Sequence, residues 1–338
     1  MRVLTWNLRA GRHGWVGQLA DRVALLDTLD GQADPWQLWF AQEVPPGGFD
    51  ELCEAVGAAD GAWAWHEQDG KDAATATGAA LLTRDPWTLT DAGMLTDAPS
   101  PKRTMAATAV NARTGQRVAA LSAALPPTGI EQGQSPPPGS DPWGQRKAEQ
   151  ARVIADWIAR RRQEGVPVLV GIDANAPRSD PPDWHQVVYW WDDEALLLGP
   201  DAVAGDVYRR WLAEHPDEHA RIAAEHPDGP LASTHLRGGS TPCRYDHLLA
   251  TDDIDVDGVD HVTEPALAAG SDHGIIQAQL TLPNTPREAG QPSTGADPGN
   301  GSGTRWPRRP RPAQRPHDRR VLPDSPGAAP RRGGPAGG

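Results

Sequence analysis

The sequence predicts an α+β fold: a four-layered αββα sandwich in which two packed mixed β-sheets are covered by outer helices. Three observations predict it. Short apolar or alternating segments recur between turn residues through the first 283 positions. Helical stretches are interspersed among them rather than gathered at one end. Residues 166–172 are almost continuously apolar, the pattern of a strand buried on both faces. No segment repeats at a fixed period, which argues against a solenoid or propeller.

Residues 2–8 read as the first strand and 15–30 as an amphipathic helix. A buried strand at 38–42 ends at Glu43, and a helix follows at 48–56. Strands at 63–66, 78–83, 105–111 and 117–125 are separated by turn residues. A proline-rich loop at 126–142 leads into a helix at 144–163 and then the apolar strand at 166–172. Residues 176–230 form an insertion with a helix near 205–214 and Trp184, Trp190 and Trp191. Residues 232–236 and 244–250 flank a Gly-Gly-Ser-Thr turn in a hairpin pattern, and 274–282 alternates as an outer strand would.

Composition divides the 338 residues in two. Residues 1–283 carry the periodic patterning of one domain, whereas 284–338 are rich in Pro, Gly and Arg and bury too little apolar surface to offset their ordering entropy, so a disordered tail is expected. Fourteen Trp against two Phe make tryptophan the main large packing residue. A net charge of −13 opposes non-specific binding to polyanions. Cys53 and Cys243 have neither disulfide-framework nor zinc spacing and read as inert thiols. With no apolar run of about 18 residues and no leader pattern, a cytoplasmic monomer without membrane contact is expected.

The residues that carry chemistry sit at strand ends. Gly171-Ile-Asp173-Ala-Asn175 closes the apolar strand and sets a carboxylate and an amide two residues apart, on one side. Thr5-Trp-Asn7 ends the first strand, Gln42-Glu43 the second, Arg244-Tyr-Asp246 opens another, and Ser271-Asp272-His273 precedes the last. Each fragment alone also suits an ordinary turn or cap. Five polar strand ends in one chain are harder to assign to chance.

In this order the segments resemble the endonuclease/exonuclease/phosphatase superfamily over residues 2–282, and Gly78-Ala-Ala-Leu-Leu-Thr-Arg84 is similar to a further family strand. The resemblance implies a divalent-metal-dependent phosphoesterase, a phosphodiesterase or nuclease, using Mg²⁺ or Mn²⁺. Glu43 would be the main metal ligand, with Asn7 and Asp272 near it. Asp173 would orient or deprotonate water, and Asn175 would position it or donate to the phosphate. His273 would contact phosphate or transfer a proton, with Asp246 fixing its tautomer. A phosphoester substrate is implied, nucleic acid being one candidate.

One feature departs from the family pattern. Where family members carry a histidine at the end of the strand at 117–125, this chain has Ala124, which neither donates to a phosphoryl oxygen nor protonates a leaving group. His235 is a candidate substitute and substrate contact, and Arg209 with Arg210 are candidates to neutralise a further phosphate. Two other classes stay open: a phosphomonoesterase or inositol/lipid phosphatase on the same scaffold, and a catalytically impaired binding protein.

Overall fold

The computed structural model describes residues 1–9, 15–31, 34–45, 47–64, 77–126, 142–175, 195–199, 201–237 and 240–283. The chain divides into two compact units, Met1–Ala289 and Gly290–Gly338, and every described residue belongs to the first. The tail, the loop at 127–141 and the tryptophans at 184, 190 and 191 lie outside the described residues.

The elements run β1 (Arg2–Asn7), α1 (Trp15–Asp30), β2 (Leu38–Val44), α2 (Gly48–Ala55), β3 (Asp60–Trp63), β4 (Gly78–Thr83), β5 (Trp87–Gly93), β6 (Thr104–Asn111), β7 (Arg117–Ala124), α3 (Pro142–Gln163) and β8 (Val168–Asp173). They continue with α4 (Ala195–Leu198), β9 (Gly205–Asp206), α5 (Val207–Glu214), α6 (Pro216–Glu225), β10 (His235–Arg237), β11 (Thr241–Cys243), β12 (Asp246–Ala250), β13 (Asp255–Val262), α7 (Glu264–Ala268) and β14 (Ile275–Thr281). Two mixed six-stranded sheets result, ordered β13-β14-β1-β2-β4-β3 and β5-β6-β7-β8-β12-β9.

Side-chain alternation builds the layers. Val3, Leu38, Phe40, Leu81, Ala107, Ala120, Leu169, Leu248, Ile276 and Ala278 meet between the sheets. The opposite faces of the same strands serve the helices. Leu4, Trp6, Trp39 and Leu82 pack with Leu26 of α1 and Leu52 of α2, while Leu121, Val170 and Ile172 pack with Ile154 and Ile158 of α3. This is the αββα sandwich that the sequence predicts. Tryptophan fills it as expected: Trp6 stacks on Trp39 at 6.2 Å, Trp36 meets Trp39 edge-on at 5.7 Å, and all three are fully buried.

Several expectations need correction. Residues 274–282 are not an outer strand, because β14 lies between β1 and β13. The predicted hairpin is two structures: β10 pairs with β11 around the turn, whereas β12 joins the second sheet antiparallel to β8. The strand expected at 63–66 is β3, shifted three residues earlier. Gly171 decides how closely the sheets approach there. A Cβ on it would lie 2.3 Å from Phe40 Cβ and 2.8 Å from Thr5 Oγ1.

Candidate active site

Polar side chains interrupt the inner apolar layer at one end of the sandwich. Along the inner faces Val3 gives way to Thr5 and Asn7, Phe40 to Gln42, Ala120 to Ser122 and Ala124, Leu169 to Asp173, and Leu248 to Asp246. A strand's period of two ties each polar group to the apolar residues on its own face, so burying the apolar set carries the polar set into the space between the sheets. Register then aligns them: Asp173 sits opposite Asp246 on one side and Ala124 on the other.

Asp173 is the hub. Its Oδ2 accepts from Asn7 Nδ2 across the sandwich and from Asn175 Nδ2, and its Oδ1 accepts from the Asn175 amide, each at 2.9 Å. Asn175 Nδ2 also reaches the Leu125 carbonyl at 2.9 Å, and the buried Lys147 of α3 donates to the Asn175 carbonyl at 3.0 Å. Gln42 bridges the two sheets, donating from Nε2 toward Thr5 Oγ1, Ser122 Oγ and the Gly171 carbonyl, each at 3.2 Å.

His273 lies two residues before β14, where it makes an isolated bridge to His235, and Asp246 opens β12 of the second sheet. His273 Nδ1 lies 2.8 Å from Asp246 Oδ2. Its backbone is held twice, by Trp6 Nε1 donating to its carbonyl at 3.0 Å and by its own amide donating to Ser271 Oγ at 3.0 Å. Ser271 Oγ in turn donates to the Asn7 carbonyl at 2.6 Å, joining the strand end that carries Asn7 to the loop that carries His273. Thr234 Oγ1 accepts from the amides of Tyr245 and Asp246 at 2.9 and 3.0 Å, which fixes the start of β12. His235 stacks on Tyr245 at 4.6 Å, tilts against His273 at 4.8 Å and sets Nδ1 2.7 Å from the Asp272 carbonyl.

The charges are crowded. Burial, with Asp246 and Glu43 adding repulsion, raises the Asp173 carboxyl to about 6 against the pull of His273. Burial opposes a charge on His273, but Asp246 first and then Asp173 outweigh it and push the imidazole up to about 10. His235 moves the other way, lowered by burial and by the charge on His273. Asp246 Oδ1 and Asp272 Oδ1 are buried without a hydrogen-bond partner among the described residues. Backbone strain gathers here as well. Among the described residues four non-glycine residues hold left-handed φ, and Arg9 (44°), Glu43 (55°) and Asn175 (46°) are three of them, each at or within two residues of the end of a strand that leads to the site.

Asn7, Asp173, Asn175, Asp246, His235, Asp272 and His273 are thus brought together. Glu43, the penultimate residue of β2, is half-buried and close enough to act on Asp173, but it stands outside the two tight groups of donor atoms, Asp173-Asp246-His273 and His235-Asp272-His273. Arg209 and Arg210, the candidates for a further phosphate, turn to backbone carbonyls. Arg209 donates to the Leu198 carbonyl at 2.7 Å, and Arg210 to those of Ala250, Thr251 and Ile254.

A model of the Endonuclease/Exonuclease/phosphatase family matches residues 4–273. The chain belongs to the Endonuclease/Exonuclease/phosphatase family. Among solved structures similar to this family member is the human Nocturnin catalytic domain with bound sulfate, with 16% identity, TM-score 0.56, and 84% of this chain and 94% of that one covered. A 3′ phosphatase from Neisseria, NExo, bound to a product DNA hairpin, has 18% identity, TM-score 0.54, and coverage of 83% and 100%. A mannosyl-6-phosphatase from Bacteroides thetaiotaomicron has 14% identity, TM-score 0.52, and coverage of 83% and 100%. At these identities the likeness is one of fold. No curated protein sequence matches the chain. Among the described residues, no helix is long and apolar enough to cross a membrane.

Proposed function

We propose that this family member is a divalent-metal-dependent phosphodiesterase that hydrolyses its substrate by attack of water. One observation carries the reading: Asn7, Asp173, Asn175, Asp246, Asp272 and His273 converge at one end of the sandwich, with two buried carboxylate oxygens that have no hydrogen-bond partner among the described residues. Crowded carboxylates with unused oxygens suit a hard dication. Glu43, Asn7 and Asp272 would hold Mg²⁺ or Mn²⁺, and such an ion supplies charge neutralisation at the phosphoryl oxygens.

The electrostatics supports an acid/base division among the chain's own groups. Asp173, at about 6, is ionised at neutral pH and suits the role of base toward the attacking water. Asn175 and Asn7 fix that carboxylate with amide donors. His273, held protonated by Asp246, suits binding a phosphoryl oxygen or giving a proton to the leaving group. Ala124 adjoins Asp173 on β7 and contributes no donor, so the proton-donor work falls on His273.

The direct test is hydrolysis of bis-p-nitrophenyl phosphate and plasmid DNA with Mg²⁺ or Mn²⁺. Wild type should turn over only with metal, Glu43→Ala and His273→Ala should lose about 10²-fold or more, and Ala124→His should gain. Metal-independent turnover, or none in wild type with either ion, would sink the reading.

A further inference from the structure

We propose that Arg22, buried on α1, is a positioning residue for the metal site: its guanidinium holds the end of β1 that carries Asn7 against the turn that carries Asp272 and His273. The inference rests on the metal-dependent phosphoesterase reading and adds a residue of the helical layer to it.

Arg22 stands where an amphipathic helix would place leucine. It shares a face of α1 with Leu26 and Leu29, which pack between α1 and the sheet of β1, and it is fully buried. A buried guanidinium costs free energy that an apolar side chain of like size avoids. Burial lowers it to about 10, with Asp272 opposing the fall, so it is charged at neutral pH.

Its hydrogen bonds show what the charge serves. Arg22 Nη2 donates to the Leu8 carbonyl at 2.7 Å, to Gln18 Oε1 at 2.9 Å and to the Gly270 carbonyl at 3.2 Å. Leu8 follows Asn7, whose side chain donates to Asp173, and Gly270 opens the turn that ends in Asp272 and His273. One nitrogen thus ties two segments that are distant in sequence. Gly270 has a φ of 88°, and a Cβ on it would lie 2.8 Å from Gln18 Cδ, so the turn rests directly on α1. Two further contacts continue the seam: Ser271 Oγ donates to the Asn7 carbonyl at 2.6 Å, and Arg9 pairs with Asp272 at 3.0 Å. Asn7 and Asp272 are two of the three residues proposed to hold the metal, and Arg22 anchors the seam that spaces them. Hydrogen bonds of this supporting kind govern affinity in metal sites.

Charge and position predict opposite signs. Removing a cation near a bound dication would tighten its binding, whereas loosening the seam would weaken it.

The test titrates the full-length chain with MnCl₂ and reads the free ion by electron paramagnetic resonance, alongside kcat and KM on bis-p-nitrophenyl phosphate. Arg22→Met removes the donors and keeps an unbranched side chain. It should weaken Mn²⁺ binding at least about tenfold and lower kcat by a similar factor, with KM little changed. Arg22→Lys keeps the charge but offers one ammonium in place of the guanidinium fork, so it should fall between wild type and Arg22→Met. Leu26→Ala, on the same face of α1, loosens the helix's packing without touching the seam and should leave Mn²⁺ binding and kcat as in wild type. Unchanged or tighter binding by a folded Arg22→Met, an equal loss in Leu26→Ala, or no Mn²⁺ binding by wild type would each overturn the proposal. Should Arg22→Met lose its circular dichroism, unchanged or tighter binding by Arg22→Lys would do so. Arg22-dependent Mn²⁺ binding without hydrolysis by wild type would remove the phosphoesterase reading and leave the positioning role standing, whereas metal-dependent hydrolysis with Arg22→Met equal to wild type would do the reverse.

Discussion

Asp246 is fully buried and uses one carboxylate oxygen to hold the ring of His273. Asp246→Asn keeps the size but removes the charge that keeps the imidazole protonated, so turnover should drop by about 10–100-fold with circular dichroism unchanged. In chelator the same pair sets a pH dependence. The folded value of His273, about 10, exceeds the unfolded one of about 6.5. The folded state therefore holds an extra proton between these values, and its stabilisation is complete below about pH 6.5 and lost as pH rises toward 10. Urea melts of the metal-free protein from pH 6 to 10 should fall along this slope in wild type and flatten in Asp246→Asn; parallel slopes would refute the assignment. The residues that sequence reading found share one trait: each ends or opens a strand next to an apolar run. Ser122 and Thr234 stayed hidden, because a lone hydroxyl within or before a strand looks like any other until its partners in distant strands are known. Gln42 was in view beside Glu43, but its bridging of the sheets depends on Ser122 and Gly171 in the facing sheet.

At the scale of elements, the buried strands were legible and the exposed ones were not. β4 was read to the residue and β1, β6, β7 and β8 to within two, since their apolar residues announce them. β5 and β13 were missed: both are edge strands, β5 mostly exposed and β13 largely half-buried, and β13 reads Asp-Val-Asp-Gly-Val-Asp-His-Val, whose acidic residues suit a protected edge and obscure the alternation. α6 and α7 begin at or beside a proline, a helix-start signal that the surrounding polar sequence concealed. Two changes test this level. Gly171→Ala drives a methyl into Phe40 and Thr5, so it should cost about 1–3 kcal/mol in a denaturant melt. Asp206 caps α5 through the Arg209 amide at 3.0 Å, pairs with Arg244 and lies 2.7 Å from His247 Nδ1, tying the helical insertion to the strand that carries Asp246. Burial acts to raise its carboxyl, but Arg244 and then His247 prevail and hold it well below the usual range. That stabilisation is present above the unfolded value near pH 3.9 and lost as the pH falls through the folded one. Asp206→Asn should cost about 3–5 kcal/mol at pH 7, and the difference from wild type should shrink in acid.

Over the whole molecule, the site exists only where the sheets face each other. Asn7 ends β1 of one sheet and His273 precedes β14 of the same sheet, whereas Asp173 and Asp246 lie in the other, so the Asn7–Asp173 and His273–Asp246 contacts need both. An ion held by Glu43, Asn7 and Asp272 would join β1, β2 and the start of β14, and so would stabilise the folded chain in proportion to the logarithm of its concentration. Mg²⁺ should raise the melting temperature of wild type and leave that of Glu43→Ala unmoved; an equal rise in both would exclude Glu43 from binding. The left-handed backbone at Glu43 adds a cost of about 1–3 kcal/mol that glycine would relieve. Glu43→Gly should then melt higher than Glu43→Ala while being equally inactive. Arg9 and Asn175 stand in the same conformation, so a library selected for heat tolerance alone would be drawn toward glycine at these three codons, and its hardiest survivors would be the ones that had discarded the chemistry.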